Sequence, residues 1–431
     1  MSRGNKSKNL GSGRRIHPAW FAAAITWITL VASAGYRSAP SVLIVPLEDA
    51  FGWSRSQISL AVSINILLYG LTAPFAAALM ERFTVRRVVM TALATVSAGA
   101  FLTIFMTKPW HLVLLWGVVV GVGTGSMALV FAATITNRWF IERRGLVVGA
   151  LTAAAATGQL IFLPALSTLA MDHGWKSVSL TIGACAALVI PLIWWGLNEK
   201  PEDIGHKPYG ASHDWVVPVR LQGNAARNAI NALRQGSKKR DFWLLFGTFF
   251  ICGLSTNGLI GTHFIPAAHD HGMGEVVAAS LLALIGVFDV VGTIASGYLT
   301  DRIDARKLLF AYYAFRGISL MILPSILFST VHRSTLVFVI FYGLDWVATV
   351  PPTITLCRAV LGPKSGTVVY GWVFTGHQIG ASVAALGAAV LRVKFGDYAA
   401  SFYIAGTLCV VASIAVLFIA RTKSYDEIKN L

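Results

Sequence analysis

The chain has 431 residues, 55% of them hydrophobic and only 13% charged, and carries a formal net charge of +16. An average soluble domain is roughly a quarter charged, so this composition excludes a soluble globular protein and points to the bilayer.

A bilayer core of ~30 Å takes about 20 consecutive, mostly apolar helical residues. Such runs predict twelve spans: 18–46, 54–80, 86–107, 110–136, 144–170, 175–197, 241–268, 275–299, 306–329, 333–360, 366–392 and 397–421. Two groups of six flank one polar segment, 198–240. The basic start and Ala32-Ser33-Ala34 resemble a cleavable signal, but apolar sequence continues to Leu47 and eleven spans follow, so the first helix is expected to stay attached.

Span 1 places Arg37, with Tyr36 beside it, near the middle of its apolar run. An arginine keeps its proton, cannot easily snorkel from mid-depth, and has a planar fork suited to a carboxylate. One such charge at mid-membrane costs from ~3 kcal/mol upward. Arg37 is therefore either a contact for an anionic substrate or the partner of an internal aspartate, unless its depth is misjudged. In span 2, Asn65 and Tyr69 offer hydrogen bonds to the same passage, and the connection after it reads "AALMERFTVRR", with Glu81, Arg82, Arg86 and Arg87. The glycines of "GVVVGVGTGSMALV" in span 4 suit close helix approach, and no GxxxxG turn is followed by the Lys-Ser/Thr of a nucleotide loop. Span 5 opens "RRGLVVGALTAAAATGQ".

The segment 198–240 is read as a linker, in which Ala226, Ile230 and Leu233 of "NAARNAINALRQGSKKR" form one apolar stripe of a short helix at the inner membrane surface. Span 7 carries Asn257 and His263, and "AAHDHG" after it is an outer loop rather than a metal chelate. In span 8, Asp289 precedes Asp301 by twelve residues, about 18 Å of helix, which puts it near mid-depth. Binding an anion to a nearby arginine would retune such a carboxylate, so Asp289 is either a proton-coupling group or a fixed counter-ion. Arg316, in span 9, is expected to bond a neighbouring carboxylate or carbonyl. Asp345, in span 10, precedes Pro351-Pro352, which break the backbone ladder; a gate and a static pair with Arg316 are both open. Span 11 carries His377-Gln378, with a histidine able to titrate near neutrality but equally a packing residue. The four cysteines are read as packing residues, and no metal or cofactor is expected.

Of the 35 Lys and Arg, 27 lie in the termini and every second connection, six in the opposite connections and two inside spans. That asymmetry predicts cytoplasmic N and C termini and removes nucleic acid as the reason for the basic excess.

The sequence also repeats. "SGYLTDRIDARK" after span 8 places Asp301, Arg302, Arg306 and Lys307 where the connection after span 2 has Glu81, Arg82, Arg86 and Arg87, the two acids 220 residues apart. "KSGTVVYGWVFTGHQ" likewise matches the start of span 5. Two six-helix parallel repeats are the arrangement of a transporter whose halves rock about a midplane site. Carboxylates at helix ends, with Arg82 and Arg302, suit cytoplasmic gating contacts; plain topogenic charge is the other reading.

With these motifs the chain resembles the major facilitator superfamily over essentially its whole length. Ala77 and Glu81 depart from the family's glycine and aspartate in the first copy. Within the superfamily, a basic residue in the first helix and Phe288-Asp289 are similar to the monocarboxylate transporter family and its bacterial relatives, including the oxalate/formate exchangers. Thr293 stands where animal members have an arginine, so that anchoring role does not carry over to span 8.

The expectation is an all-α membrane protein of twelve transmembrane helices in two six-helix pseudo-repeats, 18–197 and 241–421, in the bacterial inner membrane. It is expected to be a non-enzymatic symporter of a small organic anion, a monocarboxylate, with protons. The substrate would meet Arg37, Tyr36, Asn65, Tyr69, Asn257, His377 and Gln378, with Asp289 coupling the proton and Glu81, Arg82, Asp301, Arg302, Asp345 and Arg316 gating. Its partners would be the anion, protons and lipid, acting as a monomer. An exporter of drug-like compounds by proton antiport and a non-transporting metabolite sensor are the alternatives.

Overall fold

The computed structural model describes residues 17–212, 225–300, 302–361 and 363–420. Helices α1 (Pro18–Phe51), α2 (Arg55–Phe83), α3 (Val85–Thr103), α4 (Pro109–Leu112), α5 (Gly121–Gly125), α6 (Ala128–Trp139), α7 (Arg144–His173) and α8 (Trp175–Gly196) precede the linker. After it come α9 (Ala225–Gly236), α10 (Arg240–Gly253), α11 (Gly261–Asp270), α12 (Glu275–Thr300), α13 (Ala305–Ile326), α14 (Arg333–Asp345), α15 (Val350–Leu361), α16 (Pro363–Phe395) and α17 (Ala399–Ala415). Wider π turns, Val113–Val120 and Leu254–Ile260, join α4 to α5 and α10 to α11. Among the described residues, ten helical runs are long and apolar enough to cross a membrane, with Pro109–Gly125 as a shorter apolar stretch.

Local chemistry sets the ends. Pro18 supplies the first turn of α1, where its missing N–H costs nothing. Gly52, at φ 65°, ends that helix in the left-handed region and donates its N–H to the Glu48 carbonyl. Ser54 and Gln57 then form a capping box that starts α2.

The packing carries the repeat. α1 lies on α7 and α3 on α8; α10 lies on α16 and α13 on α17. The largest contacts between helices before the linker and helices after it are α2 on α16 and α7 on α12, which exchange under the offset of about 220 residues. Side chains follow it too: Arg86 donates from Nε to the Leu197 carbonyl at 2.7 Å, and Arg306 from Nη1 to the Ile419 carbonyl at 3.1 Å. These two basic residues of the paired motifs each anchor the end of the last helix before the linker or the C-terminal tail.

The short helix expected in the linker is α9. Ala229 and Ala232 are buried while Ile230 is 52% exposed, because α9 lies against α2 and α16 through its small residues and takes the Trp372 indole N–H on the Ala229 carbonyl at 2.8 Å. The start of the linker folds back in the other direction: the Tyr209 N–H donates to the Trp139 carbonyl at 2.8 Å, and the Tyr209 carbonyl accepts from Ile141 at 2.9 Å.

Candidate functional site

A cavity of about 70 Å³ lies among α1, α2, α5, α7, the Leu254–Ile260 turn, α11, the α14–α15 connection and α16. That is room for several waters. Six of the seven expected substrate-contact residues line it: Tyr36, Arg37, Asn65, Tyr69, Asn257 and Gln378. They are brought together from four separate stretches of chain.

Arg37 is exposed into this space, with its guanidinium carbon 5.3 Å from the centre of the Tyr69 ring, a cation–π distance. Among the described residues no carboxylate lies within ion-pair reach of Arg37, and the lining contains no aspartate or glutamate. The cation is thus open to a ligand. Asn65 is held by donating its Nδ2 to the Trp116 carbonyl at 2.7 Å.

Sequence reasoning missed Thr124, Gln159, Thr262 and Trp346 in the same wall. Gln159 was within reach of the repeat: it ends "AAAATGQ", the segment that matches "FTGHQ", and both terminal glutamines, Gln159 and Gln378, face the cavity. No comparable signal marks Trp346.

His377 is not part of the lining. It is buried between Phe249, ring centroids 4.8 Å apart, and Phe374, stacked at 5.7 Å, so the packing alternative describes its surroundings.

Asp289 also lies outside the cavity wall. Its Oδ1 accepts from the Thr293 hydroxyl and from the Val347 N–H, both at 3.0 Å. Thr293, at the position that departs from the animal pattern, is therefore this carboxylate's own hydrogen-bond donor. Arg316 is 1% exposed and donates from Nε to Asp345 Oδ2 at 2.5 Å, with Nη1 2.9 Å from the Cys252 sulfur. Arg316 and Asp345 are joined as the static alternative requires, and Cys252, read from sequence as packing, is a polar partner.

The helix break before Pro351-Pro352 explains this cluster. Two prolines remove two ladder donors, and α14 gives way to turns at 346–349 before α15 begins. The freed backbone groups then find side chains. The Asp345 and Trp346 carbonyls accept Arg316 Nη2 at 2.6 and 3.2 Å, the Ala348 carbonyl accepts the Ser296 hydroxyl at 2.5 Å, and the Val347 N–H goes to Asp289. Asp289 and Arg316 are thereby tied to the segment whose Trp346 forms part of the cavity wall.

Of the remaining gating residues, Arg82 lies over the Phe83 ring at 5.1 Å, and Arg302 donates to the Tyr298 carbonyl at 3.0 Å while covering the Tyr298 ring. Asp301 and the Glu81 side chain lie outside the described residues. A further ion cluster, of which the sequence reading touched only the "AAHDHG" loop, closes the end of the bundle where α1 and α11 finish. There Arg55, 3% exposed, meets Glu48, Asp270 and Tyr398, and Arg392 meets Asp270.

The family model for the Major Facilitator Superfamily matches residues 25–385. The chain belongs to the Major Facilitator Superfamily. It is a multi-pass membrane transporter of small molecules. It is 25% identical over 338 residues to the uncharacterized MFS-type transporter YcxA of Bacillus subtilis (strain 168), covering 78% of each chain. It is 26% identical over 389 residues to monocarboxylate transporter 13 of Rattus norvegicus, covering 86% of this chain and 82% of that one. In structure it is similar to a bacterial homologue of the human lysosomal transporter Spinster in an inward-facing, occupied conformation, with a TM-score of 0.71 at 17% identity, 94% of this chain and 97% of that one being covered. The partially occluded inward-open xylose transporter XylE of E. coli gives a TM-score of 0.68 at 12% identity, with 93% and 99% covered. These superfamily structures share the fold of this chain.

Proposed function

We propose that this superfamily member is a proton-coupled symporter of a small monocarboxylate in the bacterial plasma membrane. Its twelve spans would form two six-helix halves, 18–197 and 241–421, joined by a cytoplasmic linker, with both termini in the cytoplasm. The observation that carries the reading is Arg37: a permanent cation in a central cavity whose lining holds no acid to neutralise it. A monoanion completes that site, and the amides of Gln159, Asn257 and Gln378 orient the rest of the molecule. Similarity to proteins named monocarboxylate transporters supports the same substrate class.

In this reading Asp289 takes the co-transported proton, and the helix break passes its state to the cavity through Val347 and Trp346. Glu81, Arg82, Asp301 and Arg302 act as cytoplasmic gating contacts, and the Arg316–Asp345 pair holds the break in shape. The anion neutralises Arg37 in the cavity and the proton neutralises Asp289 beside it, so neither stands as an isolated charge in the occluded state, where one is costly.

Uptake of labelled carboxylates, from lactate and pyruvate to aromatic acids, into proteoliposomes with an inside-alkaline gradient tests the reading. One acid is expected to accumulate, and Arg37→Ala is expected to lower its uptake about a hundredfold, the worth of ~3 kcal/mol for a charged hydrogen-bonded contact. Uptake indifferent to Arg37→Ala refutes the site. Gradient-driven export of organic cations, with no acid transported, establishes the exporter alternative.

A further inference from the structure

The ion cluster at the ends of α1 and α11 has a geometry that the substrate site does not use. Arg55, the first residue of α2, is held between two carboxylates. Its Nε donates to Glu48 Oε2 at 2.7 Å, and its terminal nitrogens grip Asp270 with both arms, at 2.7 Å to Oδ1 and 2.8 Å to Oδ2. Glu48 sits in the last turn of α1, and Asp270 is the last residue of α11. Under the repeat, α10 and α11 together correspond to α1. Arg55 therefore bridges matching helix ends, one before the linker and one after it. Asp270 has a second partner of its own: Arg392 of α16 donates to it from Nε at 3.1 Å.

We infer that these four residues form a partner-exchange latch that shuts this end of the transporter and lets it open without orphaning a charge. Shut, Arg55 binds Glu48 and Asp270 together. When the halves part, Arg55 keeps Glu48 on its own side and Asp270 keeps Arg392 on the other. The exchange matters because a charge stripped of its partner in a partly buried place is far more costly than the pair is favourable. The inference rests on the proposal that two halves part around the cavity.

This arrangement makes the two carboxylates on one arginine act in opposite directions. Losing the Asp270 charge removes the tie across the halves and favours the open end. Losing the Glu48 charge leaves the grip on Asp270 in place but takes away the carboxylate that Arg55 keeps on its own side after opening, which favours the shut end. Losing the Arg392 charge does the same for Asp270.

The test is thiol labelling of Val62→Cys, a cavity-wall position on α2, by a membrane-impermeant maleimide. Intact cells and inverted vesicles are both labelled, with the chain lacking Val62→Cys as the baseline for its native cysteines. From the side this end faces, Asp270→Asn is expected to raise the labelling rate about tenfold, while Glu48→Gln and Arg392→Gln lower it severalfold. Asp270→Glu, which keeps the charge, is expected to stay near the parent rate, and each variant is scored only as monodisperse protein. If the three neutral variants change the rate in the same direction, or none changes it from either side, the latch is refuted. Labelling needs no substrate, so that failure leaves the monocarboxylate reading standing, whereas acid uptake indifferent to Arg37→Ala removes that reading and leaves the latch result intact.

Discussion

At the scale of single residues, the internal charges divide by whether they have a partner. Arg316 and Asp345 are joined to each other away from the cavity lining, whereas Arg37 has an aromatic ring and open space. Asp289 stands between these cases: it accepts two hydrogen bonds on one oxygen, and neither donor is a cation. That makes Asp289→Asn an informative change, because the amide oxygen can accept from Thr293 and Val347 as the carboxylate does while the proton site is gone. Exchange of labelled for unlabelled substrate across the membrane is expected to persist within about twofold, and stimulation by a pH gradient is expected to vanish. Equal loss of both would assign Asp289 to holding the helix break rather than to coupling. The identities of these charged residues were legible because a charge inside an apolar run stands out. The pairing of Arg316 with Asp345 was one of two open readings, since adjacency of spans 9 and 10 is a property of packing and not of spacing along the chain.

Helical elements meet here through small residues, the α2–α16 seam among them. A Cβ on Gly70 would lie 2.4 Å from the Gln378 Cβ, and the Gly70 carbonyl accepts the Thr375 hydroxyl at 3.2 Å. Gly70→Ala is therefore expected to push α2 from α16, displace the cavity-lining Gln378 and destabilise the protein by about 1–3 kcal/mol, the usual range for overpacking. Thermal unfolding in detergent reads the loss, with Gly149→Ala, whose Cβ would meet nothing within 4 Å, as the tolerated control. An unchanged midpoint for Gly70→Ala would mean that the seam is slack. Helix starts and stops were readable from Pro18, Ser54 and the proline pair, because these act within a few residues of themselves. The helices that α9 meets were not: Ala229 and Ala232 are buried where α9 lies against α2 and α16, and which helices a linker touches is a property of packing that its own sequence does not carry.

For the whole molecule, the 220-residue repeat accounts for more than the fold. It relates the α2–α16 seam to the α7–α12 seam, and it puts Gln159 and Gln378 into one cavity from matching helices. Two equivalent seams on opposite sides of a cavity allow one half to rotate on the other, with each seam loosening at one end as it tightens at the other. Near the end that Arg55 closes, the α2–α16 seam is held by the Ser63 hydroxyl, 2.9 Å from the Ser382 hydroxyl and 2.9 Å from the Ser382 carbonyl. Hydroxyls that close belong to side chains near the spacing a disulfide bridges. Ser63→Cys with Ser382→Cys is therefore expected to form a disulfide on mild oxidation. If rotation must part this seam, the bond stops transport in both directions, and reduction restores it, while either single cysteine leaves transport intact. Full transport with the bond formed, as read by the faster migration of the oxidised chain on a gel, would put the moving seam elsewhere and leave the repeat as a feature of folding alone.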